Sequence, residues 1–164
     1  MTPADWVIRP SPHHSPRRDP ITAIVLHADA APQIESTLNW LANPISKVSY
    51  HLVIGRGGTV YSVVPVDRVA WHAGASMLDG DPRVNSISVG VSLSNRNDGR
   101  EPYPIAQVDA AVAVCAYLCR TYHIPVDRIT THAIVATPKG RKNDPLGLDL
   151  AAFRASVAAM PAVA

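Results

Sequence analysis

The chain has 164 residues, 47% of them hydrophobic and 17% charged, a composition that buries a core and excludes the low-hydrophobicity, high-charge regime of disorder. Lys and Arg number 15 against 13 Asp and Glu, a formal net charge of +2, so the strong basic field of a nucleic-acid binder is missing. A chain of this length fits a single domain with one sizeable core.

The first twenty residues, "MTPADWVIRPSPHHSPRRDP", are rich in proline and lack periodicity. They read as an irregular N-terminal arm over residues 1–20, with His13 and His14 in a solvated tail. The arm has no apolar signal-peptide core, and no run in the chain approaches the ~20 apolar residues of a membrane span. The chain is therefore expected to be cytoplasmic as made, without stable membrane insertion. "ITAIVLH" (21–27) is a β-branched run that reads as a buried strand delivering His27 to a sheet edge. "PQIESTLNWLAN" starts with proline and spaces Ile34, Leu38 and Leu41 as an amphipathic helix does.

"SYHLVIGRGGTVYSVVP" holds two β-rich runs joined by Gly-Arg-Gly-Gly, which predicts a hairpin over about 50–64. "SISVGVSLSN" (86–95) alternates Ile87, Val89, Val91 and Leu93 with Ser and Gly, the pattern of a strand with one buried face. "IAQVDAAVAVCAYLCRTYH" predicts the main helix covering the sheet, stopped by Pro125. Cys115 and Cys119 share a face of that helix in poor disulfide geometry and read as small buried apolar groups. "DRITTHA" is expected to be a last short strand and "LDLAAFRASVAAM" a terminal helix.

The stretch "THAIVATPKGRKNDPLG" (131–147) crowds His132, Lys139, Arg141, Lys142 and Asp144 into a loop between prolines and glycines. A lone histidine near an apolar run is usually a satisfied structural residue, so the combination matters. If the strands ending at His27 and leading to His132 are neighbours, both imidazoles leave the sheet at one edge and Asp144 returns from the loop. Three N/O ligands with a fourth place for water is the arrangement of catalytic Zn2+, whereas structural zinc is more often closed by four ligands. Lys142 stands two residues before Asp144, so in an extended segment both face one side, and its charge would meet an oxyanion formed from an amide. The alternative is that the basic cluster only solvates the loop. Lys139 and Arg141 are read that way, or as charge that steers substrate.

The blocks "VLHADA", "VSYHLVIGRGGTVYSVVP", "VAWHAGAS", "NSISVGVSLSN" and "THAIVATPKGRKNDPLG" fall in the order and spacing of a known family. Over about residues 21–153 the chain resembles the zinc-dependent N-acetylmuramoyl-L-alanine amidases of type 2, which include phage lysozyme-type amidases and peptidoglycan recognition proteins. The resemblance implies an α/β fold, a single domain with a central mixed β-sheet flanked by α-helices, and a zinc amidase domain over 21–160. It implies hydrolysis of the amide between the lactyl group of muramic acid and L-Ala of the stem peptide.

Position by position, the resemblance places His27, His132 and Asp144 on the zinc ligands, Lys142 on the catalytic lysine and Tyr50 on a tyrosine near the zinc water. A ring packed on a strand is the alternative for Tyr50. Trp71 and His72 match a block lining the groove, which implies substrate binding or support of the ligands, with core packing also open for Trp71. His51 is expected to be structural or to back the ligands. Ser92 occupies the place of a glutamate that serves many bacterial members as general base, a task a serine hydroxyl cannot perform near neutral pH. Phage-type members also lack that glutamate and keep the tyrosine. "LHADAAP" replaces a more usual His-His-Thr-Ala and leaves His27 intact.

The expected setting is a phage or prophage endolysin released through a holin. The alternatives are a cytosolic enzyme recycling anhydromuropeptides and a non-catalytic peptidoglycan-binding module, the last disfavoured by the full ligand set. The expected partner is peptidoglycan or a muropeptide, and the expected state a monomer. A DNA-binding reading lacks a recognition helix and an extended basic patch.

Overall fold

Two short strands, β1 (Val7–Ile8) and β2 (His14–Pro16), open the chain in its computed structural model, which describes residues 2–161. They correct the expectation of an irregular arm, because its backbone pairs with distant segments. β1 lies parallel to Tyr61 and Ser62, and β2 runs antiparallel to residues 68–70. His13 is 5% exposed rather than solvated, with Nε2 2.8 Å from the Asn43 carbonyl. Arg17 threads between elements, and its guanidinium donates to the carbonyls of Val66, Arg68, Ser86 and Ser88. Neither the prolines nor the lack of periodicity signals such long-range pairing.

The predicted elements come in the expected order, with β6, α2 and α4 added, the last two taking residues expected as strand: β3 (Ala23–Ala28), α1 (Ile34–Ala42), β4 (Leu52–Ile54), β5 (Val60–Ser62), β6 (Arg68–Ala70), α2 (Val84–Ile87), β7 (Ser88–Leu93), α3 (Ile105–Tyr122), β8 (Ile129–Thr131), α4 (His132–Val135) and α5 (Leu150–Ala159). β4 and β5 form the expected hairpin. In its turn Gly58 has φ +87°, and a Cβ there would lie 2.8 Å from the Ala106 carbonyl oxygen, so two constraints demand glycine. α3 ends at His123 in the left-handed conformation (φ 55°), two residues before Pro125.

The main sheet has the order β1-β5-β4-β7-β3-β8 and is mixed, since β4, β7, β3 and β8 run parallel and β5 opposes β4. Alternation divides its two faces. Ile24, Leu26, Leu52, Ile54, Val89, Val91 and Leu93 pack with Leu118 of α3 and Phe153 of α5 in one apolar core. Each fully buried aliphatic side chain there contributes about 1.5–3 kcal/mol. Gln107 anchors α3 across this core, its Nε2 donating to the carbonyls of Ile54 and Ser94.

The alternate set on β7 is Ser88, Gly90 and Ser92. All six residues of β7 are buried, which corrects the expectation of one buried face: the small polar residues lie under a second layer. Val25 on this side packs with Ala73, Val84 and Val135. Cys115 and Cys119 are buried free thiols, as their helical spacing implied. Among the described residues no helix is long and apolar enough to cross a membrane.

Candidate metal centre

Parallel pairing of β3 with β8 sets Leu26 opposite Thr131. The next residue of each strand segment is a histidine, so His27 and His132 emerge side by side with ring centroids 4.6 Å apart. The loop brings Asp144 back to them, held where Ala133 N–H donates to the Asp144 carbonyl at 2.9 Å. His132 Nδ1 lies 3.1 Å from either carboxylate oxygen of Asp144. His27 Nδ1 lies 3.3 Å from Oδ2 but makes no hydrogen bond there. One donor atom from each residue lies within 4.8 Å of the others, and all three residues are buried. These are three residues that sequence spacing alone leaves far apart.

The donor set fits a divalent metal. The Ala73 carbonyl, 3.1 Å from His132 Nε2, can only accept, so that nitrogen carries the proton and Nδ1 is left facing Asp144. Among the described residues His27 Nδ1 is a buried polar atom with no hydrogen-bond partner, as befits a nitrogen that would share a cation with Asp144 and His132. Two imidazole nitrogens and one carboxylate oxygen match the ligand chemistry of zinc. Burial pushes His27 down to about 4 against the opposing pull of Asp144. Burial alone would raise Asp144, but the two imidazoles beside it, His132 first, outweigh burial and hold the carboxyl well below its usual range. Near neutrality the pair is therefore a neutral imidazole and a carboxylate, the forms that ligate.

The centre lies in a groove of about 440 Å³ whose lining includes Tyr50, Trp71, Lys142 and Asp144. Tyr50 stacks obliquely on His27, centroids 5.0 Å apart. Burial, reinforced by the carboxylates of Asp144 and Asp29, pushes its phenol pKa up. Ser92 sits opposite His27 on β7, and its buried Oγ has no partner among the described residues. Lys142 is exposed on the groove side of the loop. Trp71, 36% exposed, forms groove wall rather than core, with Nε1 donating to Ser15 Oγ at 3.1 Å. The arm thus braces the groove.

His72 lines the groove with Trp71, yet little of it reaches solvent. It is 6% exposed and lies behind His27, with Nδ1 3.0 Å from His27 Nε2 and Nε2 3.3 Å from Ser88 Oγ. Both ring nitrogens are engaged inside the protein, the arrangement of a residue that supports the ligands. His51 is fully buried and accepts from Gly90 N–H at 2.9 Å through Nδ1, a structural role. Arg141 is exposed but not free, for it donates to the carbonyls of Ala73, Ala75 and Thr137 and clamps the loop.

Two contributions escaped the sequence reading. Asp29 accepts from Thr37 Oγ1, Asn95 N–H and Ala31 N–H, tying the end of β3 to α1 and to the end of β7. Ser88 and Gly90 form the floor beneath His72. Their signal was present in "SVGVSL", as the polar half of an alternation that reads equally well as a solvent face.

Comparison with known proteins agrees with this geometry. Residues 17–147 match the family described as N-acetylmuramoyl-L-alanine amidase. The 1,6-anhydro-N-acetylmuramyl-L-alanine amidase AmpD of Enterobacter cloacae is 35% identical over 155 residues, covering 83% of this chain and 81% of that protein. The crystal structure of a selenomethionine derivative of AmpD is similar with a TM-score of 0.80 at 29% identity, over 93% of this chain and 94% of that one. The amidase AmiD of Escherichia coli, solved with anhydro-N-acetylmuramic acid-L-Ala-D-γ-Glu-L-Lys, gives a TM-score of 0.72 at 28% identity, over 81% and 57%. Matched along most of its length in sequence and in fold, the chain belongs to the N-acetylmuramoyl-L-alanine amidase family and carries that amidase activity toward peptidoglycan.

Proposed function

We propose that the enzyme releases L-alanine-linked stem peptides from soluble 1,6-anhydromuramyl peptides, with His27, His132 and Asp144 holding zinc. The observation that carries this reading is the convergence of two imidazole nitrogens and a carboxylate, within 4.8 Å, beside an open groove. The substrate class is supported by the relatives, which are named for 1,6-anhydro-N-acetylmuramyl-L-alanine or solved with an anhydromuramyl peptide. They favour the cytosolic recycling alternative over the endolysin setting.

Zinc bound by these ligands supplies a Lewis acid for the scissile carbonyl and lowers the pKa of water at the site. Tyr50, kept as the neutral phenol by burial, presents a hydroxyl that both donates and accepts, so it orients the attacking water and passes its proton on. Ser92 cannot take up that proton as a base would. The Lys142 ammonium, exposed in the groove, stabilises the oxyanion that forms as water adds to the carbonyl carbon. Collapse breaks the C–N bond, leaving the carboxylate on the lactyl group and the amine on L-Ala, which receives the proton. Trp71 offers an aromatic face to the substrate at the groove wall.

Mass spectrometry of parallel digests of a soluble anhydromuramyl tripeptide and of intact sacculi tests the reading. The free peptide is expected from the soluble substrate, with the signal lost under chelation. Release from sacculi alone would overturn the substrate, and full activity in the chelated protein would overturn the ligand set.

A further inference from the structure

We propose that Ser88 and His72 form a hydrogen-bond relay that sets the tautomer of His27, so that its Nδ1 is a bare lone pair facing Asp144 and His132. His72 is then a positioning residue for the metal. The inference rests on the ligand set proposed above.

The direction of every bond follows from the far end of the chain. Val84 contributes a carbonyl, which only accepts, so Ser88 Oγ directs its single proton there at 2.5 Å. Toward His72 Nε2, 3.3 Å away, the hydroxyl can therefore only accept, and that nitrogen carries a proton. A neutral imidazole has one N–H, so His72 Nδ1 is bare and accepts from His27 Nε2 at 3.0 Å. The one proton of His27 is thereby placed on Nε2, and Nδ1 is left unprotonated. Both rings are buried, His27 fully and His72 at 6% exposure, an environment that disfavours the charged imidazolium.

Packing holds the relay in line. The His27 and His72 rings meet edge to face, 86° apart. A Cβ on Gly90 would stand 2.5 Å from His72 Cγ, so the ring occupies the space that glycine leaves on β7. His132 has its tautomer set in the same sense by a simpler device, the Ala73 carbonyl. Partners behind a ligating histidine are worth roughly 10–100-fold in metal affinity. Here the partner is another histidine, whose intrinsic preference between its two neutral tautomers is weak. Ser88 supplies that preference.

Long-range 1H–15N NMR of the chelated protein reads the tautomer from the two ring-nitrogen shifts of His27, and cobalt(II) titration reads affinity. The wild type is expected to show His27 protonated at Nε2. Ser88→Ala leaves volume nearly unchanged but frees His72 to protonate Nδ1, which turns part of His27 to the Nδ1–H form and weakens cobalt binding about 10-fold. His72→Leu weakens it similarly or more. His72→Gln, whose amide accepts at one end and donates at the other, restores it. Circular dichroism confirms folding of each variant. A wild-type His27 protonated at Nδ1, or Ser88→Ala with unchanged tautomer and affinity, overturns the relay. Failure of the wild type to bind zinc or cobalt removes the ligand set instead, while the NMR measurement on metal-free protein still decides the relay.

Discussion

Replacing Gly90 with alanine removes the space into which the His72 ring fits. In an ordinary strand interior that change stabilises by about 0.5–1 kcal/mol. At Gly90 the new Cβ would lie 2.5 Å from His72 Cγ and 2.8 Å from Cδ2 and Nδ1. Neither side can easily yield: Gly90 is paired with Val25 on β3 and donates to His51, and the ring is bonded to His27 and Ser88. Overpacking of this kind costs about 1–3 kcal/mol, and a buried polar group stripped of its partner costs a similar amount. Against the strand preference, the net destabilisation is about 1–5 kcal/mol. For a chain of this size each kcal/mol moves Tm by about 2–4 °C, so a fall of roughly 2–20 °C is expected. Thermal and urea unfolding in chelator isolate the packing effect from metal binding. A loss below about 0.5 kcal/mol, or a gain, would refute the argument that the ring and the glycine are matched.

Lys142→Ala should lower kcat roughly 10²–10³-fold, the range for loss of one oxyanion-stabilising group, with zinc content by elemental analysis unchanged; normal turnover would remove the lysine from the mechanism. Asp144→Ala should abolish tight zinc binding while the apolar core keeps the chain folded, read by calorimetric titration and circular dichroism. Stability of the chelated protein should fall on acidification. Burial and the Arg17 charge hold His51 at about 3 against 6.5 in the unfolded chain, so the unfolded state takes up the proton first. The stability is present above pH 6.5 and is lost toward pH 3, at up to about 1.4 kcal/mol per pH unit for this one residue. His27 and His72 act in the same sense. Equal urea midpoints at pH 7 and pH 5 would contradict it.

Most element types, and the three residues that converge, were legible because their signals are local: β-branched runs ending in histidine, a hairpin marked by glycines, and a loop confined between prolines. What stayed hidden depends on distant partners. β1 and β2 are too short to show a period, and become strands only because Tyr61, Ser62 and residues 68–70 offer them backbone groups. Arg141 and Lys142 are adjacent and chemically alike, yet three carbonyls claim the first while the second faces the groove. The polar half of β7 was visible as a pattern, but whether Ser and Gly meet water or a histidine is decided by the loop carrying His72. Substitution at such positions shows which.

The pairing of β3 with both β7 and β8 also bears on the order in which the molecule comes into being. β3 is made early, but both of its neighbours come from the second half of the chain. During synthesis from the N-terminus, His27 therefore waits, without His132 or Asp144, until residue 144 has been made. Non-local closures of this kind slow folding. They also mean that a truncated or half-folded chain lacks the assembled trio, and that metal capture reports completion of the fold. Zinc would then add to the stability of finished molecules alone, by an amount set by its free concentration relative to Kd.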